Sequence, residues 1–270
     1  NLPLSRRLFK WYLPFMPAAV ESLDLTEYNI VLSDASAFAK GVITNPSALH
    51  ICYCHTPTRY LWSDTYSYVN GLKTSSLIKK ALFIVLNRLR AWDYQAAQRV
   101  DKFIANSSFI AQRIKKYYQR ESRVIYPPVE TDQFKISYEI GNYFLIISRL
   151  RPYKKVDLAI RAFNRLRIPL KIIGVGEEEE HLKKMARENI EFLGGVSEEE
   201  KIEWLSKCKA LIHPQEEDFG ITAVEAMASG RPVIAYKSGG ALETIIEDQT
   251  GKFFDEQTWE SLANEVIKFN

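Results

Sequence analysis

From residue 141 onward the chain alternates between short apolar runs and helix-periodic stretches, and that alternation limits its fold more than any other feature. Tyr143-Phe144-Leu145-Ile146-Ile147 is apolar throughout, as a strand buried on both faces of a parallel sheet must be. Residues 156–166 carry helical periodicity, 170–173 read as a strand closed by Gly174, 181–187 as a helix and 190–193 as a short strand. Ser197 stands three residues before Glu200, the spacing of a capping box, and opens the next helix. A strand at 210–213, a helix at 219–228, a strand at 232–236 and a helix at 242–246 follow. Strands and helices alternating at this spacing predict βαβ units and a doubly wound parallel sheet. The acidic run Glu177-Glu178-Glu179-Glu180 fits a solvated helix start, where carboxylates favour the dipole.

The first half is less regular but related. Residues 29–33, 49–53, 102–107 and 123–126 read as strands, and 77–98 as one long helix. Pro127-Pro128 cannot continue a central strand and marks a domain edge. The predicted division is a partial first domain at 1–130, a linker at 131–141 and a second domain at 142–270. The 270 residues suit two such α/β domains, expected to face each other across a cleft, with ligands at the carboxyl ends of the strands. Hydrophobic residues at 46% and charged residues at 26% exclude a disordered chain. No apolar run approaches the roughly 20 residues of a bilayer-spanning helix. Three cysteines suggest reduced thiols and a cytoplasmic setting. Residues 1–140 hold 18 Lys and Arg against 11 Asp and Glu, a balance of +7, whereas 141–270 balance at −4. Either the basic half faces an anionic surface, or two domains differ by chance. The total of +3 gives no support to a nucleic-acid partner.

Three motifs carry chemistry. The first is Glu217-Asp218-Phe219-Gly220-Ile221-Thr222-Ala223-Val224-Glu225, which follows a strand and opens a helix. Gly220 removes a side chain there, so the backbone N–H groups of Phe219, Gly220 and Ile221 can approach a diphosphate. Glu225, two turns into an apolar helix, suits a ribose diol; an acidic cap followed by a buried salt bridge is the alternative. The second is Ser148-Arg149-Leu150-Arg151-Pro152-Tyr153-Lys154-Lys155. Arg149 and Lys154 suit a leaving diphosphate, and a merely structural role fits poorly because cations oppose the dipole at a helix start. The third, Gly174-Val175-Gly176, is a tight turn near a nucleotide, without the third glycine of a dinucleotide fingerprint. Asp218-Phe219-Gly220 lacks the other motifs of a kinase. Cys52, Cys54 and His55 lack a second pair of metal ligands.

The E-x7-E pattern from Glu217 to Glu225, the following Ala226-Met227-Ala228-Ser229-Gly230-Arg231-Pro232-Val233-Ile234, Ser148-Arg149-Leu150 with Lys154, and Asn106-Ser107 closely resemble the retaining glycosyltransferases of group 1 (family 4). His55-Thr56-Pro57-Thr58-Arg59-Tyr60-Leu61-Trp62 is similar to the mannosyltransferase-like branch that builds surface polysaccharides. The resemblance covers nearly the whole chain. It implies the GT-B fold, two Rossmann-like domains around a cleft, with the opening strand, glycine-rich turn and helix of the first domain missing ahead of Asn1. It implies transfer of a hexose from a nucleotide-diphosphate sugar to a lipid-linked or polysaccharide hydroxyl, with retention. Arg149, Lys154, Gly174, Phe219, Gly220, Ile221 and Glu225 would bind the donor. His55 and Glu217 would stand at the reacting sugar. Arg59, Tyr60 and Trp62 are acceptor-side candidates, the last two reading equally well as core. With no D-x-D motif, no divalent ion or other cofactor is expected, and the leaving phosphate would take the acceptor proton. GDP-mannose follows only from the branch resemblance.

Residues 4–13, and the cations Lys79, Lys80, Arg88 and Arg90 around Leu82–Leu86, suit contact with an anionic membrane surface, so a peripheral position on the inner face of the membrane is expected; packing of both segments on the sheet is the alternative. The rival functions are a non-catalytic nucleotide-sugar-binding module, a phosphorylase or epimerase of the same fold, and, more distantly, a dehydrogenase.

Overall fold

The structure, a computed structural model, describes residues 9–72 and 74–269. It divides into two compact units between Tyr126 and Pro127. Each is built on its own parallel sheet. The predicted α/β class, with two parallel sheets, is what the chain forms.

After a 3-10 turn at Phe9–Phe15, the first unit runs α1 (Met16–Glu21), β1 (Ile30–Ala35), β2 (Leu49–Cys54), α2 (Thr65–Gly71), α3 (Ser76–Arg99), β3 (Lys102–Ala105), α4 (Ser108–Tyr118) and β4 (Ser122–Val124). The strands lie in the order β1-β2-β3-β4. Along β2 the side chains alternate: His50, Cys52 and Cys54 are buried, and Leu49, Ile51 and Tyr53 face the other way. Ser107 caps α4 by accepting from Ile110 N–H at 3.0 Å. Ile110, Ile114 and Tyr118, four residues apart, then bury one stripe of that helix beside Phe103. The opposite side of the sheet is partly bare, with Ile30 65% and Leu32 68% exposed. Of the predicted basic segment 4–13, residues 4–8 lie outside the described residues.

The second unit runs β5 (Phe144–Ile147), α5 (Val156–Leu166), β6 (Leu170–Ile173), α6 (Glu179–Met185), β7 (Ile190–Gly194), α7 (Glu198–Lys207), β8 (Leu211–His213), α8 (Ile221–Ala228), β9 (Val233–Tyr236), α9 (Ala241–Thr244), β10 (Gly251–Phe254) and α10 (Trp259–Phe269). Its strand order is β10-β9-β8-β5-β6-β7. Phe144 and Ile146 join a core with Ile160, Phe163, Leu262 and Val266 on one face; Leu145 joins Leu211, Ala223 and Ala226 on the other. That two-sided burial is why β5 carries no polar residue. Ile160 and Phe163 are fully buried, each contributing about 1.5–3 kcal/mol, so α5 is held by its packed face. The capping box of Ser197 and Glu200 is present in both directions.

Three differences from the sequence expectations have physical reasons. The segment expected as a linker packs on the second unit: Phe134 is buried in its core, Ser137 O accepts from Arg231, and Gly141 N–H donates to Lys207 O at 2.7 Å. The helix expected from Phe219 begins at Ile221, because Gly220 takes a left-handed conformation at φ +89°. Finally, β10 and α10 have no counterpart in the sequence reading; β10 is a four-residue edge strand interrupted by Lys252, too short to announce itself by pattern.

Candidate functional site

Strand order in the second sheet reverses between β5, which leads to β6 and β7, and β8, which leads to β9 and β10. Such a switch point opens a crevice at the carboxyl ends of the strands. The loop after β5 carries Arg149 and Lys154, and the loop after β8 carries Glu217 to Gly220. Gly174, after β6, has φ +138°, and a Cβ there would come within 1.8 Å of Ser148 O. Its observed role is steric: it lets the β6 loop lie against the β5 loop. There Ser148 N–H donates to Ile173 O at 3.0 Å, and Leu150 N–H to Val175 O at 3.0 Å.

Lys154 forms an ion pair with Glu217, and both side chains are largely buried. Burial raises the pKa of the Glu217 carboxyl, but Lys154, His213 and the hydrogen bonds from Lys154 and Gln215 outweigh it and hold the group below its usual range. Arg149 is exposed, and its guanidinium has no hydrogen-bond partner among the described residues. Gly220, the residue before α8, offers no side chain to its first-turn N–H groups, so that helix start keeps the donors and positive dipole end that suit an anion. Phe219 is buried and Ile221 exposed. Gly240 N–H donates to Glu217 O at 2.9 Å and fixes the loop from behind.

Glu225 lies one helical turn and more beyond that start. Its Oε1 accepts from Lys201 Nζ at 3.1 Å, and Lys201 also pairs with Glu198 at 2.5 Å. Burial lowers the Lys201 pKa, but both glutamates outweigh this and raise it. The alternative reading of a buried salt bridge therefore describes Glu225 as it stands beside Lys201, a partner that the sequence did not single out.

Two further residues were not singled out. His213 is 3% and Gln215 4% exposed. Gln215 Nε2 lies 3.1 Å from Glu217 Oε1 and 3.4 Å from His213 Nδ1. Burial drives the His213 pKa down to about 4. Their signal in the sequence is alternation: residues 213, 215 and 217 are two apart in an extended segment, so they share a face.

In the first unit, His55 follows β2 at its carboxyl end. Its Nε2 lies 2.5 Å from Asp34 Oδ1, and its side chain is 44% exposed. The loop after it is fastened from beneath by Asp93 of α3. Asp93 is fully buried and takes Lys40 Nζ at 2.5 Å, Thr58 Oγ1 at 2.9 Å, Trp62 Nε1 at 2.8 Å and Tyr118 OH at 2.8 Å. Trp62, expected as either an acceptor wall or core, therefore points inward and stacks on Tyr117 at 5.2 Å. Tyr60 packs against Tyr68 at 5.5 Å, and Arg59 donates to Asp64 at 2.8 Å. Cys52 and Cys54 are buried thiols.

Comparison with known proteins supplies the rest. The model of the glycosyl transferases group 1 family matches residues 129–270, and that of glycosyltransferase family 4 matches residues 1–133. An alpha-1,3/1,6-mannosyltransferase, ALG2, of Dictyostelium discoideum is 28% identical over 83% of this chain and 63% of its own length. The O-antigen chain mannosyltransferase C of Escherichia coli is 28% identical over 56% of this chain and 45% of its own. The chain thus spans about half to two thirds of the length of the relatives it matches. Among solved structures, Anabaena HepE in complex with UDP and glucose superposes with a TM-score of 0.68 at 18% identity, covering 99% of this chain and 74% of that one. Sucrose-phosphate synthase of Thermosynechococcus elongatus gives 0.71 at 16% identity, covering 99% and 70%. Both likenesses concern the fold, which is GT-B.

Proposed function

Because the chain belongs to the glycosyl transferases of group 1, we propose that it moves a hexose, mannose being the first candidate, from a nucleotide-diphosphate sugar to a hydroxyl of a lipid-linked or polysaccharide acceptor, with retention. The observation that carries this reading is the cluster at the switch point: Arg149 exposed, Lys154 paired to Glu217, and the uncapped start of α8, all on loops after β5 and β8. Two cations and a helix start suit the charge that builds on a leaving diphosphate. Glu225, paired with Lys201 at 3.1 Å, suits the ribose diol. Glu217 stands where the sugar of such a donor would begin. The acceptor hydroxyl attacks from the face the diphosphate leaves, and its proton passes to the departing phosphate oxygen, so no protein base or divalent ion is needed. Likeness to mannosyltransferases favours mannose, and with it GDP-mannose as the first donor to test; the complex of HepE with UDP and glucose makes UDP-glucose the alternative.

A cytoplasmic, peripheral position on a membrane belongs to the same proposal. Among the described residues no helix is long and apolar enough to cross a membrane. Leu77, Lys80, Ile84 and Arg88 are exposed on α3 at helical spacing, a basic and apolar stripe that suits anionic lipid. Lys79 and Arg90 do not contribute, being turned to Asn70 O and Leu61 O.

The test is thermal stabilisation of the chain by GDP-mannose, UDP-glucose and an ADP-sugar, repeated with Glu225→Ala and Arg149→Ala. Saturable stabilisation by one nucleotide, lost in both variants, is expected. Stabilisation that survives both substitutions would move the donor elsewhere. Binding without turnover in the presence of acceptor would make the chain a nucleotide-sugar-binding module instead.

A further inference from the structure

Four buried side-chain polar atoms among the described residues find no hydrogen-bond partner, and two of them, His213 Nε2 and Gln215 Oε1, belong to one contact chain behind Glu217. That chain has a fixed polarity. A carboxylate only accepts, so the Gln215 group 3.1 Å from Glu217 Oε1 must be the amide nitrogen. The same nitrogen lies 3.4 Å from His213 Nδ1, which must therefore be bare, with the ring proton on Nε2. A proton on Nδ1 would oppose the amide N–H and turn the amide over. Gln215 Oε1 would then face the carboxylate, and the two would repel. The histidine tautomer decides the amide, and the amide decides how the carboxylate stands.

The outcome at Glu217 is asymmetric. Its Oε1 takes both Lys154 and Gln215. Its Oε2 accepts nothing from the described residues. We propose that His213 and Gln215 are positioning residues, a neutral relay that commits Glu217 Oε1 inward and leaves Oε2 as the acceptor for a hydroxyl of the transferred sugar. This rests on the donor reading above and adds to it the pair that selects for the sugar rather than the nucleotide. The buried setting supports it: with its pKa pushed down to about 4, the ring is neutral at pH 7.

The relay is tested in the whole 270-residue chain with His213→Phe, Gln215→Leu and His213→Asn, whose side-chain carbonyl can replace Nδ1 as acceptor. Calorimetry gives the affinities for GDP-mannose and GDP, and for UDP-glucose and UDP. The Phe and Leu variants should lower the preference for nucleotide sugar over nucleotide about tenfold, and the Asn variant should recover most of it. Nucleotide affinity should stay within about twofold, which also reports that each variant is folded. An unchanged preference in the Phe and Leu variants overturns the proposal, as does failure of the Asn variant to rescue. A second readout needs no ligand. Ring nitrogen-15 spectra, with His213 identified by its loss in His213→Phe, should show the Nε2–H tautomer at pH 7, lost in Gln215→Leu. A proton on Nδ1 in the unsubstituted chain overturns the relay. A wild-type chain that shows the tautomer but binds none of the four nucleotides overturns the donor reading instead and leaves the relay standing.

Discussion

Replacing Lys40 by Met should destabilise the first unit by about 3–5 kcal/mol, the loss found when one partner of a buried ion pair is removed. The Lys40 and Asp93 side chains are 2% and 0% exposed and lie 2.5 Å apart. Methionine keeps most of the volume of the lysine stem, so packing changes little. What disappears is the countercharge, together with the ammonium bond to Ala37 O at 2.6 Å. Thr58, Trp62 and Tyr118 still donate to Asp93, which puts the loss near the lower end of the range. In an Asp93→Asn background the carboxylate charge is already gone, so the same Lys40→Met step should cost less by about 1–3 kcal/mol. Hydrogen exchange along a urea series resolves the two units separately. With a urea slope of about 1–3 kcal/mol per molar, the first unit's midpoint should fall by about 1–3 M while the second unit's stays put. A midpoint that does not move would refute the claim that this pair holds the loop after His55. A loss of equal size in the Asp93→Asn background would refute the electrostatic account of it.

Three more outcomes follow from particular contacts. Burial lowers the His213 pKa from 6.5 to about 4. Between those values the unfolded chain binds a proton that the folded chain refuses, so the second unit should lose roughly 3 kcal/mol as pH falls from about 6.5 to 4; His213→Phe should flatten that part of a stability–pH curve, and an unaltered slope would assign it to other groups. Gly174→Ala sets a Cβ 1.8 Å from Ser148 O at φ +138° and should cost on the order of 3 kcal/mol with loss of nucleotide binding, whereas Gly195→Ala, whose Cβ meets only Val175 at 3.7 Å, should be close to neutral in the same denaturation and binding assays. Ser197→Ala removes one half of a capping box and should cost about 1 kcal/mol, read as a small drop in melting temperature; no drop would mean that the end of α7 is held by packing alone.

Legibility in the sequence followed burial. β5 could be read because both its faces are covered, leaving an unbroken apolar run. Gly220 and the charged residues of 148–155 and 217–225 could be read because a left-handed backbone position and clustered charge restrict residue type locally. Gln215 and Lys201 were illegible for the opposite reason. Their partners include Glu217 and Glu225, and a polar residue near an acidic one looks the same whether solvent or a carboxylate faces it. Trp62 could be read either way, since an indole N–H suits a substrate wall as well as a buried acceptor. Asp93, 31 residues along the chain from Trp62, takes that N–H, and only the tertiary fold brings it there.

The half-bare sheet of the first unit has a consequence for handling the protein. Among the described residues β1 is paired on one side only, so a row of backbone N–H and C=O groups stands ready for any extended segment that meets it. Ile30 and Leu32 stand exposed along that strand, and Asp34 is its one charged residue, already engaged by His55. Natural edges are blunted by lysine, proline or a bulge; this one carries none of these. Wherever that edge is left uncovered, the strand is a template for chain-to-chain pairing, and a lysine in place of Leu32 is the substitution that would blunt it without touching the crevice at β5 and β8.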